Sequence, residues 1–198
     1  AEAAGEPLLG LILLGDLSEL SIEEELRQVR DITRLAPLPV AVQPGIHDVY
    51  DSSDAVYNRV FGPGNHAFTT CGVRMALLDT GSGFLADSIR GRLPEMLEEP
   101  AARHRIAAMH HPPDPGPSSA GWSDEAQARH LLAELAARDT AHVLAGHVHR
   151  RMVVDRGDVP VLVAGTLGAD QAGVDPDYGY LRLTFREQAA DACFVSPL

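Results

Sequence analysis

Four short apolar runs, each halting at an aspartate or a histidine, set the narrowest limit on what this chain folds into. Leu8–Leu14 ends in Gly15-Asp16. Pro39–Gln43 opens into Pro44-Gly45-Ile46-His47-Asp48. Arg105–Met109 runs into His110-His111-Pro112-Pro113. Ala141–Ala145 stops at Gly146 and releases His147 and His149, one residue apart. Short runs bounded by turn residues read as buried strands. In α/β sheets, ligands sit in the crevice at the carboxyl ends of the strands. Neutral imidazole is the commonest side-chain metal ligand near neutral pH. Taken alone, His147 and His149 read equally well as a strand end with two half-exposed rings. Four such endings in chain order outweigh that plain reading.

The remaining pattern supports an α/β chain. Ser21 with Glu24 reads as a capping box, and Ile22, Leu26, Val29, Ile32 and Leu35 then recur at helical spacing to about Ala36. Pro37 and Pro39 end that helix. Asp54 to Phe61 suits a short helix, broken by Gly62-Pro63-Gly64. His66 to Thr70 and Val73 to Asp79 suit a hairpin about Cys71-Gly72, and Leu93 to Leu97 a helix with proline in its first turn. Ser123 is the expected cap of a helix from Asp124 to Arg138, with Leu131, Leu132 and Leu135 on one side. Strands are expected at 151–154, 160–164, 178–185 and 192–195. Helices alternate with strands first and strands dominate later, the order of a mixed-sheet α/β domain.

Charge and length exclude several classes. The 198 residues suit one domain. Formal net charge is −12, and every basic residue is arginine. That surface repels nucleic acid, so no nucleic-acid partner is expected. A protein of this charge that handles phosphate needs local positive charge, which a bound metal supplies. No apolar run is long enough for a transmembrane helix, and the acidic start is unlike a signal peptide, so no membrane association and a cytoplasmic location are expected. Cys71 and Cys193 lack zinc-type spacing and read as small buried hydrophobes of a reducing compartment, with a bridge between them left open.

With those residues in view, the chain resembles the calcineurin-like metallophosphoesterases over about Leu8 to Phe185. Gly15-Asp16, Gly45-Ile46-His47-Asp48, His110-His111-Pro112 and Gly146-His147-Val148-His149 follow the order of that family's motifs. Two departures stand out. The family's first motif, D-x-H, does not occur before Gly15, and Ile46 stands where the family has asparagine. The resemblance implies a single domain over 1–198, a four-layer α/β/β/α sandwich of two mixed sheets that lacks its first strand. A homo-oligomer or an upstream segment would then cover the open edge. It also implies one or two divalent transition metals (Mn, Fe, Zn or Ni). Asp16 would bridge the metals, His110 and His147 would bind one, and His149 would bind the other, which lacks its remaining two ligands. His47 would protonate the leaving group, with Asp48 orienting it.

Phosphoester hydrolysis fits such a ligand set, because a metal neutralises phosphoryl charge and supplies a nucleophile at neutral pH. The expected function is hydrolysis of a small-molecule phosphomonoester or phosphodiester at a reduced metal site. The competing expectation is a degenerate member of the same fold, serving as a binding or structural module. Ile46 and the absent D-x-H favour the second; Asp16, His47, Asp48, His110, His147 and His149 favour the first. His111 reads as structural or substrate-facing. His66, His104, His130 and His142 read as ordinary surface or core histidines. Nothing in their spacing ties Asp79, Asp114 or Arg150 to the site. The Pro-, Gly- and Ser-rich stretch 112–121 is the expected substrate loop. No G-x-S-x-G or P-loop pattern occurs.

Overall fold

The computed structural model describes residues 7–50, 53–114, 121–155, 159–168 and 175–196. Its centre is a six-stranded mixed sheet. The strands are β3 (His66–Thr70), β4 (Val73–Leu78), β5 (His104–Met109), β6 (Thr140–Ala145), β7 (Met152–Val154) and β8 (Val161–Val163), in the order β3-β4-β5-β6-β8-β7. β4, β5, β6 and β8 run parallel, and antiparallel β3 and β7 close the two edges. β4, β5 and β8 are almost wholly buried, as near-continuous apolar strands of a sheet covered on both faces must be.

One face packs against α4 (Leu93–Leu97) and α5 (Glu125–Ala136), through Leu93, Met96, Leu97, Leu131, Leu132 and Leu135. The other face packs against two separate strand pairs. Parallel β1 (Leu11–Leu13) and β2 (Val40–Val42) contribute Ile12 and Ala41; antiparallel β9 (Tyr180–Phe185) and β10 (Ala190–Val195) contribute Leu181, Leu183, Phe185 and Ala192. Two helices lie near the start of the chain, α1 (Glu23–Thr33) and α2 (Ala55–Phe61), and a one-turn α3 (Asp87–Arg90) precedes α4. Sequence periodicity had not marked α3, whose four residues are too few to show a period.

Among the described residues nothing pairs with the second edge of β1. The second layer is therefore two pieces. The β9–β10 hairpin is fixed by two histidines of the large sheet: the His104 ring meets the Arg186 carbonyl at 2.6 Å, and the His142 ring the Ala190 carbonyl at 2.7 Å. These are structural histidines, as expected. Only Leu26 of the expected α1 stripe is fully buried, while Ile22, Ile32 and Leu35 are exposed. α1 connects β1 to β2, and a two-stranded layer is too narrow to cover the whole stripe.

Two caps differ from expectation. The Ser21 hydroxyl does not cap α1; it donates to the His47 carbonyl at 2.8 Å and accepts from the Tyr50 N–H at 2.9 Å. A distant loop thus outcompetes the local cap. At α5 the cap is Asp124, not Ser123; its carboxylate accepts from Ala126 and Gln127 N–H at 2.9 and 3.0 Å. Asp124→Ala should cost about 1 kcal/mol and lower the melting temperature by about 2–4 °C, while Ser123→Ala leaves the cap intact. Equal melting of Asp124→Ala and wild type would show that the cap contributes nothing. The cysteines also differ: Cys71 and Cys193 are free thiols and both exposed. No helix among the described residues is long and apolar enough to cross a membrane.

Candidate metal centre

The four strand endings do gather at one end of the sheets. β1 leads to Asp16, β2 to the 3-10 turn Ile46–Asp48, β5 to His110 and His111, and β6 to His147 and His149. Six non-glycine residues among those described have positive φ. Three are Asp16 (55°), His147 (67°) and His149 (57°). Left-handed backbone costs such residues energy and persists where the surroundings enforce it, which is common at functional sites.

Two glycines make the close approach possible. A Cβ on Gly15 would stand 2.5 Å from His110 Nδ1 and 2.7 Å from the Gly45 backbone. A Cβ on Gly45 would overlap the backbone and carboxylate of Asp16. The loops after β1 and β2 therefore nest against the His110 ring with no room for a side chain between them.

His110 is the hub. It is fully buried, and its Nδ1–H donates to the Leu14 carbonyl at 2.7 Å. That bond fixes the tautomer and leaves the Nε2 lone pair facing inward. His147 Nδ1 lies 3.2 Å from Nε2, and Asp16 Oδ2 lies 3.4 Å from it on the other contact. Burial, then the neighbouring histidines, push the pKa of both His110 and His147 down to about 3. Both rings are thus neutral at physiological pH, the state a metal ligand requires.

Asp48 has a different job from the one the resemblance implies. Its buried carboxylate accepts from the N–H groups of Leu17 (3.0 Å), Ser18 (2.8 Å) and Gly45 (2.8 Å), and from the Ser18 hydroxyl (2.8 Å). It staples the Asp16 loop to the Gly45 loop. The His47 ring instead contacts the Tyr50 hydroxyl at 2.6 Å and the Glu19 carbonyl at 3.3 Å. The His47 N–H donates to Asp16 Oδ1 at 3.1 Å, so the same loop also orients the Asp16 carboxylate.

His110 touches Asp16 on one side and His147 on the other, but Asp16 does not join the histidine cluster. His149 is near enough to depress the other two histidines electrostatically, and its buried Nδ1 has no hydrogen-bond partner. Among the described residues, the side chains whose donor atoms all lie within 4.8 Å of one another are His110, His111 and His147. Sequence reasoning had set His111 aside. It also missed Thr80, whose hydroxyl accepts the N–H of both His110 (3.1 Å) and His111 (2.9 Å). The signal was present: β4 is another apolar run ending in polar residues, Asp79-Thr80. Asp79 spends one carboxylate oxygen on the Gly81 N–H at 3.0 Å, and burial raises its pKa. Part of the expected substrate loop, residues 115–120, lies outside the described residues.

The donor set suits a divalent transition metal. Ligands bound at about 2.0–2.1 Å in tetrahedral array are about 3.4 Å apart. The 3.2 and 3.4 Å spacings around His110 Nε2 match two such edges, with Asp16 lying outside the group whose donors are all within 4.8 Å of one another. His110 further has the backbone-anchored Nδ1–H that metal-binding imidazoles usually show.

No family model and no curated protein matches the sequence. Solved structures match the fold. A purple acid phosphatase isolated from yellow lupin (Lupinus luteus) seeds superposes with a TM-score of 0.70 at 13% identity, over 89% of this chain and 42% of that one. GAP50, the anchor in the inner membrane complex of Plasmodium, gives 0.59 at 14% identity, over 83% of this chain and 63% of that one. Phosphopantetheinyl hydrolase from Mycobacterium tuberculosis gives 0.50 at 13% identity, over 79% of each chain. This chain thus spans less than half of the phosphatase and under two thirds of GAP50. The shared feature is the fold, the α/β sandwich of the metallophosphoesterases.

Proposed function

We propose that this chain hydrolyses small-molecule phosphomonoesters or phosphodiesters at a reduced metal site held by Asp16, His110 and His147. The observation that carries this reading is the spacing around His110 Nε2, with one imidazole and one carboxylate at ligand-to-ligand distance and both rings neutral. A bound divalent cation would supply Lewis acidity and a nucleophile at neutral pH. Asp16 presents its second oxygen to the His47 N–H, which fixes the carboxylate's direction. His47 is partly exposed at the rim, where its ring can give a proton to a leaving oxygen; Tyr50 holds that ring, and Asp48 acts only through the backbone. General acid catalysis of this kind contributes roughly 10²–10⁴-fold. His149 would bind a second ion together with Asp16, and among the described residues these two would be its protein ligands. We further read the protein as cytoplasmic, with no membrane or nucleic-acid partner, and with an upstream strand or a second copy on the free edge of β1.

A second reading has its own support. Ile46 places hydrocarbon where the family has an amide, and one protein of this fold, GAP50, is described as an anchor. Metal content after purification, together with turnover of a generic aryl phosphodiester, separates the two. The enzyme reading expects near-stoichiometric metal and activity that chelation removes and Asp16→Asn abolishes. Absence of both metal and turnover leaves the binding-module reading.

A further inference from the structure

We propose that His111 is a third imidazole ligand of the metal centre, beside His110 and His147. This inference rests on the metal-dependent reading above and sharpens it. The first observation is convergence: donor atoms of His110, His111 and His147 all lie within 4.8 Å of one another. The second is how tightly His111 is held. Its ring Nδ1–H donates to the Thr80 carbonyl at 2.6 Å, and its backbone N–H donates to the Thr80 hydroxyl at 2.9 Å. Its carbonyl accepts from the Trp122 indole at 3.0 Å. Its ring centroid lies 4.0 Å from that of His147.

The Thr80 bond decides the tautomer. With Nδ1 carrying the proton, Nε2 is left with its lone pair, as in His110, where the Leu14 carbonyl plays the same part. Two adjacent residues thus each have one ring nitrogen tied to a backbone carbonyl, with the other nitrogen of His110 turned toward His147. That is the arrangement by which proteins orient metal-binding imidazoles. A purely structural histidine in this place would need only its Thr80 bonds. It would gain nothing from two further neutral imidazoles crowded against it, whose lone pairs repel unless a proton or a cation lies between them.

The chemical consequence is metal choice. A carboxylate-rich site tolerates Mn²⁺ and Mg²⁺, whereas three converging imidazoles shift preference toward Zn²⁺, Ni²⁺ and Cu²⁺. The centre is therefore a single nitrogen-rich site selective for the softer ions.

The test loads the metal-free, full chain with one equivalent of Cu²⁺ and counts coordinated imidazole nitrogens by pulsed electron paramagnetic resonance. The expected count is three in wild type, two in His111→Gln, and still three in His149→Gln. Zn²⁺ affinity, measured by chelator competition, should fall at least about ten-fold in His111→Gln, with a smaller loss for Mn²⁺. A wild-type count of two, or loss of the third nitrogen in His149→Gln but not in His111→Gln, overturns the assignment and leaves the metal-dependent reading standing. Wild-type protein that retains no ion overturns both. Should His111→Gln fail to fold, the wild-type count together with the count in His149→Gln decides: three in both supports His111, and a fall to two in His149→Gln overturns it.

Discussion

Asp48→Ala is expected to lower the melting temperature by about 10 °C or more and to abolish metal binding in the same step. The carboxylate is buried and accepts four hydrogen bonds, from the N–H groups of Leu17, Ser18 and Gly45 and from the Ser18 hydroxyl. Alanine leaves three backbone donors without a partner, two buried and that of Leu17 part-buried, the buried ones each costing about 1–3 kcal/mol. Removing a carboxylate that burial has already pushed up in pKa recovers part of that loss. The remainder is still about 4 kcal/mol, near the upper end for single substitutions. For a chain of this size each 1 kcal/mol is about 2–4 °C. Ser18→Ala removes one bond of the four and should cost about 1 kcal/mol. Asp16 suffers directly, because the staple holds its loop against Gly45 and places the His47 N–H on its carboxylate. Thermal denaturation and Zn²⁺ titration of both variants give the comparison. If Asp48→Ala melts with wild type, or binds metal equally well, the two loops are held by something other than this carboxylate.

This role for Asp48 marks the boundary between what the sequence disclosed and what it hid. The strand endings were legible because buried strands are short apolar runs and because a functional residue at a strand end follows directly in sequence. Asp16, His110 and His147 were expected at such strand ends, of which His110 and His147 join the histidine cluster, and the α/β class and the sandwich followed. The partner of each polar atom was not legible, since hydrogen bonds span tens of residues. Asp48 bonds to Leu17 and Ser18, about 30 positions earlier, and Thr80 holds His110 and His111 from 30 positions earlier. Ser21 looked like a helix cap because local spacing was all that could be read; its hydroxyl serves the His47 loop instead. The apolar stripe of α1 showed the helix correctly but not its burial, which depends on how wide the neighbouring layer is. His111 was read as structural or substrate-facing, because nothing local in the sequence shows where its ring goes. The turn that follows β5 brings both rings to the same cluster.

The metal-free protein should lose stability steadily as pH falls from about 6.5 toward 4, with the loss reversed by Zn²⁺ at the upper end of that range. His110 and His147 have folded-state pKa values of about 3, against an ordinary value of 6.5. Burial lowers His111 as well. Between the two values the unfolded chain binds protons that the folded chain excludes, so stability rises with pH. The contribution is complete above about 6.5 and is lost as pH falls through the window toward about 3. Asp48 and Asp79 act with the opposite sign. Burial raises their pKa values above 3.8, so their protonation favours the folded state as the solution becomes acidic. They oppose the imidazole contribution wherever they titrate. The net loss is on the order of a few kcal/mol, with partly exposed His147 counting for less than fully buried His110. Urea midpoints measured at about pH 7.5, 6 and 5 expose the slope, and His110→Gln should flatten it. A wild-type curve flat over that range would mean that these rings bind protons in the folded state. Rings with ordinary pKa values are still mostly neutral above about pH 7, so a flat curve would remove the burial argument but leave the geometry of the centre to be tested by metal titration.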